Sequence, residues 1–172
     1  MLKGLSIIII LLSCSYLGFY YGETFKKRNK QLDEILKAIL FLNNEVIYNN
    51  TPLPEALKYV SLRTEDPIKS IISDVSDKLV KGNTASVFEA FKEEYLKAEK
   101  DFNLKEEDIN GIKNFLKTLG ESGVYGQDKI FNLAIENLKM NSLNAKEEAK
   151  KNIKMYRSLG FCIGAMIAIF LL

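Results

Sequence analysis

"LGFCIGAMIAIFLL", residues 159–172, holds no charge and no proline. With Ser158 it forms an uncharged run of fifteen residues, about 22 Å long as a helix. By length alone such a run suits either a buried core helix or a short membrane span. Gly160, Gly164 and Ala168 decide between the two, because they recur at a four-residue step and form the small-residue stripe that brings helices together in lipid. Glycines at this density are a poor choice for a water-soluble helix. The stretch therefore predicts a C-terminal membrane anchor, 158–172. Ile153, Met155 and Tyr156 lengthen it, Arg157 snorkels outward, and the stripe offers a route to self-association through this anchor.

The other end carries a matching run, "LSIIIILLSCSYLGFYYG", residues 5–22. Tyr16, Tyr20 and Tyr21 sit at its C-terminal end, where an aromatic belt belongs. Two rival readings are a cleaved signal peptide and a lipoprotein box at Leu11–Cys14. Lys26, Lys27, Arg28 and Lys30 follow directly and oppose translocation, so a retained anchor over 1–22 is expected. A second basic flank, with Lys150, Lys151, Lys154 and Arg157, precedes the C-terminal run. Both flanks belong to the middle of the chain, which places residues 23–157 in the cytoplasm of a two-pass protein of the cell membrane.

All 22 acids lie between Glu23 and Glu148. From Leu32 to Leu143 there are 14 cations against 19 acids, a net of −5, whereas each flank is net positive. The middle reads as helix throughout, giving an all-α fold: a bundle of about six helices between two transmembrane helices. Leu32, Ile35, Leu36, Ile39, Leu42 and Val46 mark a first helix running on from the anchor to about Tyr48. "NNTPLPEAL" (49–57) then stops and restarts the chain, with Pro54 at the first position of a short helix of about Pro54–Leu62. Asp66 and Pro67 open a third helix, which Gly82 closes. A fourth spans about Thr84–Lys100 and turns Val87, Phe88, Phe91, Tyr95 and Leu96 inward; a fifth spans about Lys105–Leu119. The last starts near Tyr125 and continues without a breaker into the second anchor. Its stretch Asn141–Arg157 is polar almost all round, so it either crosses solvent or leans on the base of the first helix.

The chain has no histidine, and its cysteines, Cys14 and Cys162, lie in the two apolar runs. Metal sites, disulfides and cofactors are therefore not expected. "LGESGVYGQDK" (119–129) has glycines but no GK[ST] and no preceding strand, so it is no phosphate cradle. The acid pairs Glu93–Glu94 and Glu106–Glu107 fall on helix faces expected to be solvated, and no enzyme chemistry or nucleic-acid binding is anticipated. They form instead, with the corner Thr51, Pro52, Leu53, Pro54 and Glu55, the candidate partner-binding surface.

"QLDEILKAILFLNNEVIYNNTPLPEAL" (31–57) and "LKTLGESGVYGQDKIFNLAIENL" (116–138), in this order between two anchors, are similar to segments of the stage III sporulation protein AB family of endospore-forming bacteria. The resemblance implies a non-enzymatic scaffold in a membrane complex joining mother cell and forespore. Its helical domain would be similar to the cytoplasmic domains of type II secretion platform proteins. The resemblance also supplies the expected partners: a secretion-type ATPase on the mother-cell cytoplasmic side and other members of the complex. A different class of reading is a two-anchor sensor that binds a small molecule between its helices, which requires a hydrophobic cavity.

Overall fold

Two long helices and four short ones account for the computed structural model, which describes residues 2–121 and 124–170. Helix α1 runs Leu2–Asn43 and passes into one π-helical turn, Asn44–Tyr48. Helices α2 (Leu53–Ser61), α3 (Ile68–Val80), α4 (Val87–Ala98) and α5 (Glu106–Glu121) follow, with a 3-10 turn at Glu99–Asp101. Helix α6 spans Val124–Phe170, 47 residues without a break. No strand occurs among the described residues. The expected break between the fifth helix, ending near Leu119, and the last, starting near Tyr125, includes Ser122 and Gly123, which lie outside the described residues, as do Leu171 and Leu172 of the C-terminal run.

The chain divides into two compact units: a hairpin of Met1–Asn29 with Leu143–Leu172, and a body of Lys30–Ser142. Both boundaries fall inside the long helices α1 and α6. Among the described residues one helix, α6, is long and apolar enough to cross a membrane.

The body packs through large side chains. Leu32, Val60 and Phe131 are almost fully buried, and Phe115 meets Phe131 edge-on at 5.3 Å between ring centroids. Tyr95 stacks on Phe91 at 5.8 Å and tilts against Phe102 at 5.3 Å. Polar side chains stitch the short helices where the backbone lacks partners. The Gln31 amide donates to Asp101 O and its carbonyl accepts from Asn103 N, both at 2.8 Å, which secures the crossing from α4 to α5. The Ser76 hydroxyl donates to Pro54 O at 2.8 Å and ties α3 to the start of α2.

Several local expectations need correction. Leu96 is 62% exposed, because the buried face of α4 runs through Val87, Ala90, Glu94 and Tyr95, and at about 100° per residue Leu96 falls on the opposite side of the helix from Val87. Phe91 lies on that face and lines the apolar interior, but is only half-buried. The helix starts at Val87 instead of Thr84 because Ser86 is the cap: its backbone is extended and its hydroxyl accepts from Glu89 N at 3.2 Å. Asp66 does not cap α3 through the backbone; its carboxylate accepts from the Ser70 hydroxyl at 2.5 Å.

The hairpin packs in the opposite way. A Cβ on Gly18 would lie 2.5 Å from Tyr156 O, and one on Gly160 would lie 2.7 Å from Cys14 O. The two backbones touch, which only glycine permits. Gly164 and Ala168 continue this buried line, so the stripe read from the sequence faces helix α1 of the same chain at Gly160. The polar stretch before Arg157 leans on α1: Ala145 and Ala149 are buried, and Arg28 donates to Glu148 at 2.8 Å.

Candidate docking surface and hairpin base

The corner at Thr51–Glu55 is built around Glu45, a residue that the sequence did not single out. Its carboxylate accepts from the Asn49 amide at 3.0 Å and from the Thr51 hydroxyl at 3.1 Å, while its backbone carbonyl accepts from Thr51 N at 2.9 Å. The Arg63 guanidinium lies 4.0 Å from the same carboxylate and 5.2 Å above the Phe41 ring. Asn50, with φ of 52°, takes the left-handed step that reverses the chain, which asparagine tolerates better than most residues. Thr51 thus serves the turn, Leu53 and Pro54 are half-buried, and Pro52 and Glu55 face outward. The signal for Glu45 was its spacing, four and six residues ahead of Asn49 and Thr51.

The two acid pairs separate. Glu94 is only 7% exposed, contrary to the expected solvated face, and its carboxylate meets Lys78 and Lys97, each at 2.7 Å. Burial pushes this carboxyl up, but the two lysines outweigh it and hold it below the usual range. Glu93 also contacts Lys78, whose ammonium is held above its ordinary pKa by Glu93 and Glu94 together. This cluster joins α3 to α4. Glu106 and Glu107 remain on the outside of α5, with Glu107 3.9 Å from Lys105. Of the candidate acids, Glu55, Glu106 and Glu107 are exposed.

The basic flanks also sort themselves. Arg28 is 5% exposed and committed to Glu148. Lys30 belongs to the body, where Glu65 lies at 2.7 Å and holds its ammonium above the ordinary value. Arg157 lies 3.7 Å from Glu23 and 4.7 Å above the Phe19 ring, and Lys26 also reaches Glu23 at 3.7 Å. Tyr156 stacks between Tyr21, at 6.0 Å, and Phe25, at 5.7 Å. Lys27, Lys150, Lys151 and Lys154 are exposed.

Inside the body, an apolar cavity of about 80 Å³ is lined by side chains such as Ile39, Leu57, Ile71, Val75, Phe91 and Ile112. Ligand pockets typically enclose about 300–1,000 Å³ and present a few polar groups that orient the ligand. This one has neither property, so it reads as imperfect packing. A shallow groove of about 300 Å³ between α5 and α6 is lined by Ile112, Phe115, Leu133 and Leu138 with Asn114 and Asn137. Among the described residues no group of three or more His, Cys, Asp or Glu side chains gathers to hold a metal ion.

Residues 3–172 match the model of the stage III sporulation protein AB family. Stage III sporulation protein AB of Bacillus subtilis (strain 168) is 29% identical over 172 residues, covering 100% of each chain. A solved structure titled Stage III sporulation protein AB (SpoIIIAB) superposes with a TM-score of 0.65 at 27% identity, covering 72% of this chain and 96% of its own. The all-helical architecture, the paired segments at 31–57 and 116–138 and a match over nearly the whole chain converge: this chain belongs to the stage III sporulation protein AB family.

Proposed function

We propose that the chain is a two-pass membrane scaffold of a sporulation complex, non-enzymatic, whose body docks a secretion-type ATPase on the mother-cell cytoplasmic side. The observation that carries the membrane part is the surface of the hairpin. Both of its helices turn large apolar side chains outward, including Leu12, Tyr16 and Leu17 on α1 and Phe161, Met166 and Phe170 on α6. A surface of this kind is unstable in water and at home in lipid. Glycine contacts between the two helices fit the same setting, since close backbone approach replaces the hydrophobic drive that lipid removes.

The docking part rests on family membership and on charge. The body carries an acidic excess, and exposed carboxylates at Glu55, Glu106 and Glu107 suit a basic partner surface. Glu94 has no place in that surface, being committed to Lys78 and Lys97. The test is the affinity of the full chain, in nanodiscs, for the ATPase between 0.05 and 0.5 M salt. Steered docking weakens steeply as the screening length falls from above 10 Å to below 8 Å. Glu55→Gln with Glu106→Gln and Glu107→Gln should weaken it about tenfold, and an affinity indifferent to salt and to these changes would defeat the docking surface.

A further inference from the structure

The hairpin sorts its charges in a way that composition conceals. Gly22 lies against Ile153, with a Cβ built on it 3.5 Å from the Ile153 Cα, and Arg28 meets Glu148. These two contacts bracket a level of the antiparallel pair that contains Lys26 and Lys27 on α1 and Ala149–Asn152 on α6. At this level the acids are consumed by neighbours in the hairpin. Glu148 is held by Arg28, and Glu23 by Arg157 and Lys26. The lysines are not so used: Lys27, Lys150, Lys151 and Lys154 all face outward. Glu147, one turn farther from the apolar surface, is the exposed acid there. The outward-facing ring is therefore more positive than the sequence count of this segment suggests.

The position of the ring fixes what it meets. The uncharged run from Ser158 spans fifteen residues, about 22 Å, and that from Leu5 to Gly22 eighteen, about 27 Å. Both fall short of a hydrocarbon core of about 30 Å. A short span draws its flanking residues toward the headgroups, and lysine stems reach that depth with the ammonium at the phosphate. Lys154 stands one turn from Ser158, and Lys150 and Lys151 stand two turns away. The aromatic set Tyr21, Phe25 and Tyr156 lies at the same boundary, where amphipathic rings settle.

We propose that this collar is a binding site for anionic phospholipid headgroups, with Lys27, Lys150, Lys151 and Lys154 receiving their phosphodiesters. It rests on the two-pass reading, and it adds to that reading a lipid preference and the residues that set it. Arg28 and Arg157 act as positioning residues: by taking Glu148 and Glu23 they keep carboxylates out of the headgroup plane.

The test uses the full chain reconstituted in phosphatidylcholine vesicles with trace spin-labelled phosphatidylglycerol or phosphatidylcholine, and reads the motionally restricted fraction of each label. A lysine beside an anionic headgroup is expected to change its local population about fivefold. The wild type should therefore favour the phosphatidylglycerol label several-fold at low salt and lose most of that preference at 0.5 M. The quadruple variant Lys27→Gln, Lys150→Gln, Lys151→Gln, Lys154→Gln should bring the ratio near one. An equal loss of charge on the body, Lys69→Gln, Lys81→Gln, Lys92→Gln, Lys117→Gln, should leave it unchanged. Carbonate extraction of the same vesicles separates the two levels of failure. A chain that carbonate removes overturns the two-pass reading and the collar together. A chain that resists carbonate but shows no lipid preference, or keeps its preference in the quadruple variant, overturns the collar alone.

Discussion

Helices α1 and α6 contribute to both the hairpin and the body, yet the two regions are held by opposite means. In the body, α1 and α6 contribute large side chains such as Leu32 and Phe131, which are buried almost completely. In the hairpin the same helices meet through Gly18 and Gly160, where a missing side chain lets backbone touch backbone. On the two-pass reading proposed above, water explains the difference. Where it is the surrounding medium, each buried methylene stabilises by about 0.8 kcal/mol, so the helices converge on bulk. Where the surrounding medium is lipid, bulk on the inside gains nothing over bulk on the outside, and close contact between backbones decides. Residue size therefore has the opposite meaning in the two regions.

The sharpest way to break this comparison is to remove bulk. Phe131→Ala should cost the body about 3–5 kcal/mol in a chemical denaturation of the full chain in detergent. Leu12→Ala deletes a large side chain from the exposed hairpin face and should stay within about 0.5 kcal/mol. Equal losses at both sites would mean that the hairpin is packed like the body.

Adding bulk should reverse the ranking. Gly160→Ala drives a methyl group into Cys14 O and should cost about 1–3 kcal/mol, read as faster amide exchange along the hairpin. Gly111, inside α5, has open space where its Cβ would be, so Gly111→Ala should stabilise the body by about 0.5–1 kcal/mol. The same substitution should thus move stability in opposite directions. Two shifts of the same sign would remove the distinction.

The smallest effect concerns Glu94 and sharpens the account of the body. Its folded pKa is lowered from the ordinary 4.5, so its contribution is fully present above that value and is lost as pH falls through the lowered one. Lys97 is largely exposed, so the contribution should be about 1 kcal/mol. Stability measured against pH should separate the wild type from Glu94→Gln at neutral pH, and the two curves should merge in the acid limb. Curves that stay parallel to pH 3 would show that the carboxylate's charge is not what joins α3 to α4.

Most of the helices are legible in the residue pattern alone, because a 3.6-residue period of apolar side chains survives in any tertiary context. Ile39, Val75 and Phe115 are buried where their stripes place them. The misses share one cause. Leu96 belongs to an apolar stretch of α4 that is wider than the face actually covered, and Glu94 lies on that covered face. A sequence reports which side chains prefer burial, but only the neighbouring helix determines which are reached. The candidate surface was legible to the same degree. Glu106 and Pro52 stand outside as their residue types suggest, whereas Thr51 and Glu94 have partners, Glu45 and Lys78, that no local spacing reveals in full.

By itself, then, the sequence determined the all-helical class, the restart at Pro54 and the family, for each depends on residue type at short range or on order along the chain. It also determined that the small-residue stripe at Gly160, Gly164 and Ala168 would meet a helix. Only the tertiary structure decided which helix. Gly160 meets Gly18 of the same chain, Arg28 turns inward to Glu148, and Lys27 and Lys154 are left facing out. The physical reason is that an ion pair or a backbone contact at glycine forms only at a few ångströms. Arg28 and Glu148, 120 positions apart, come within that distance only when the long helices pair.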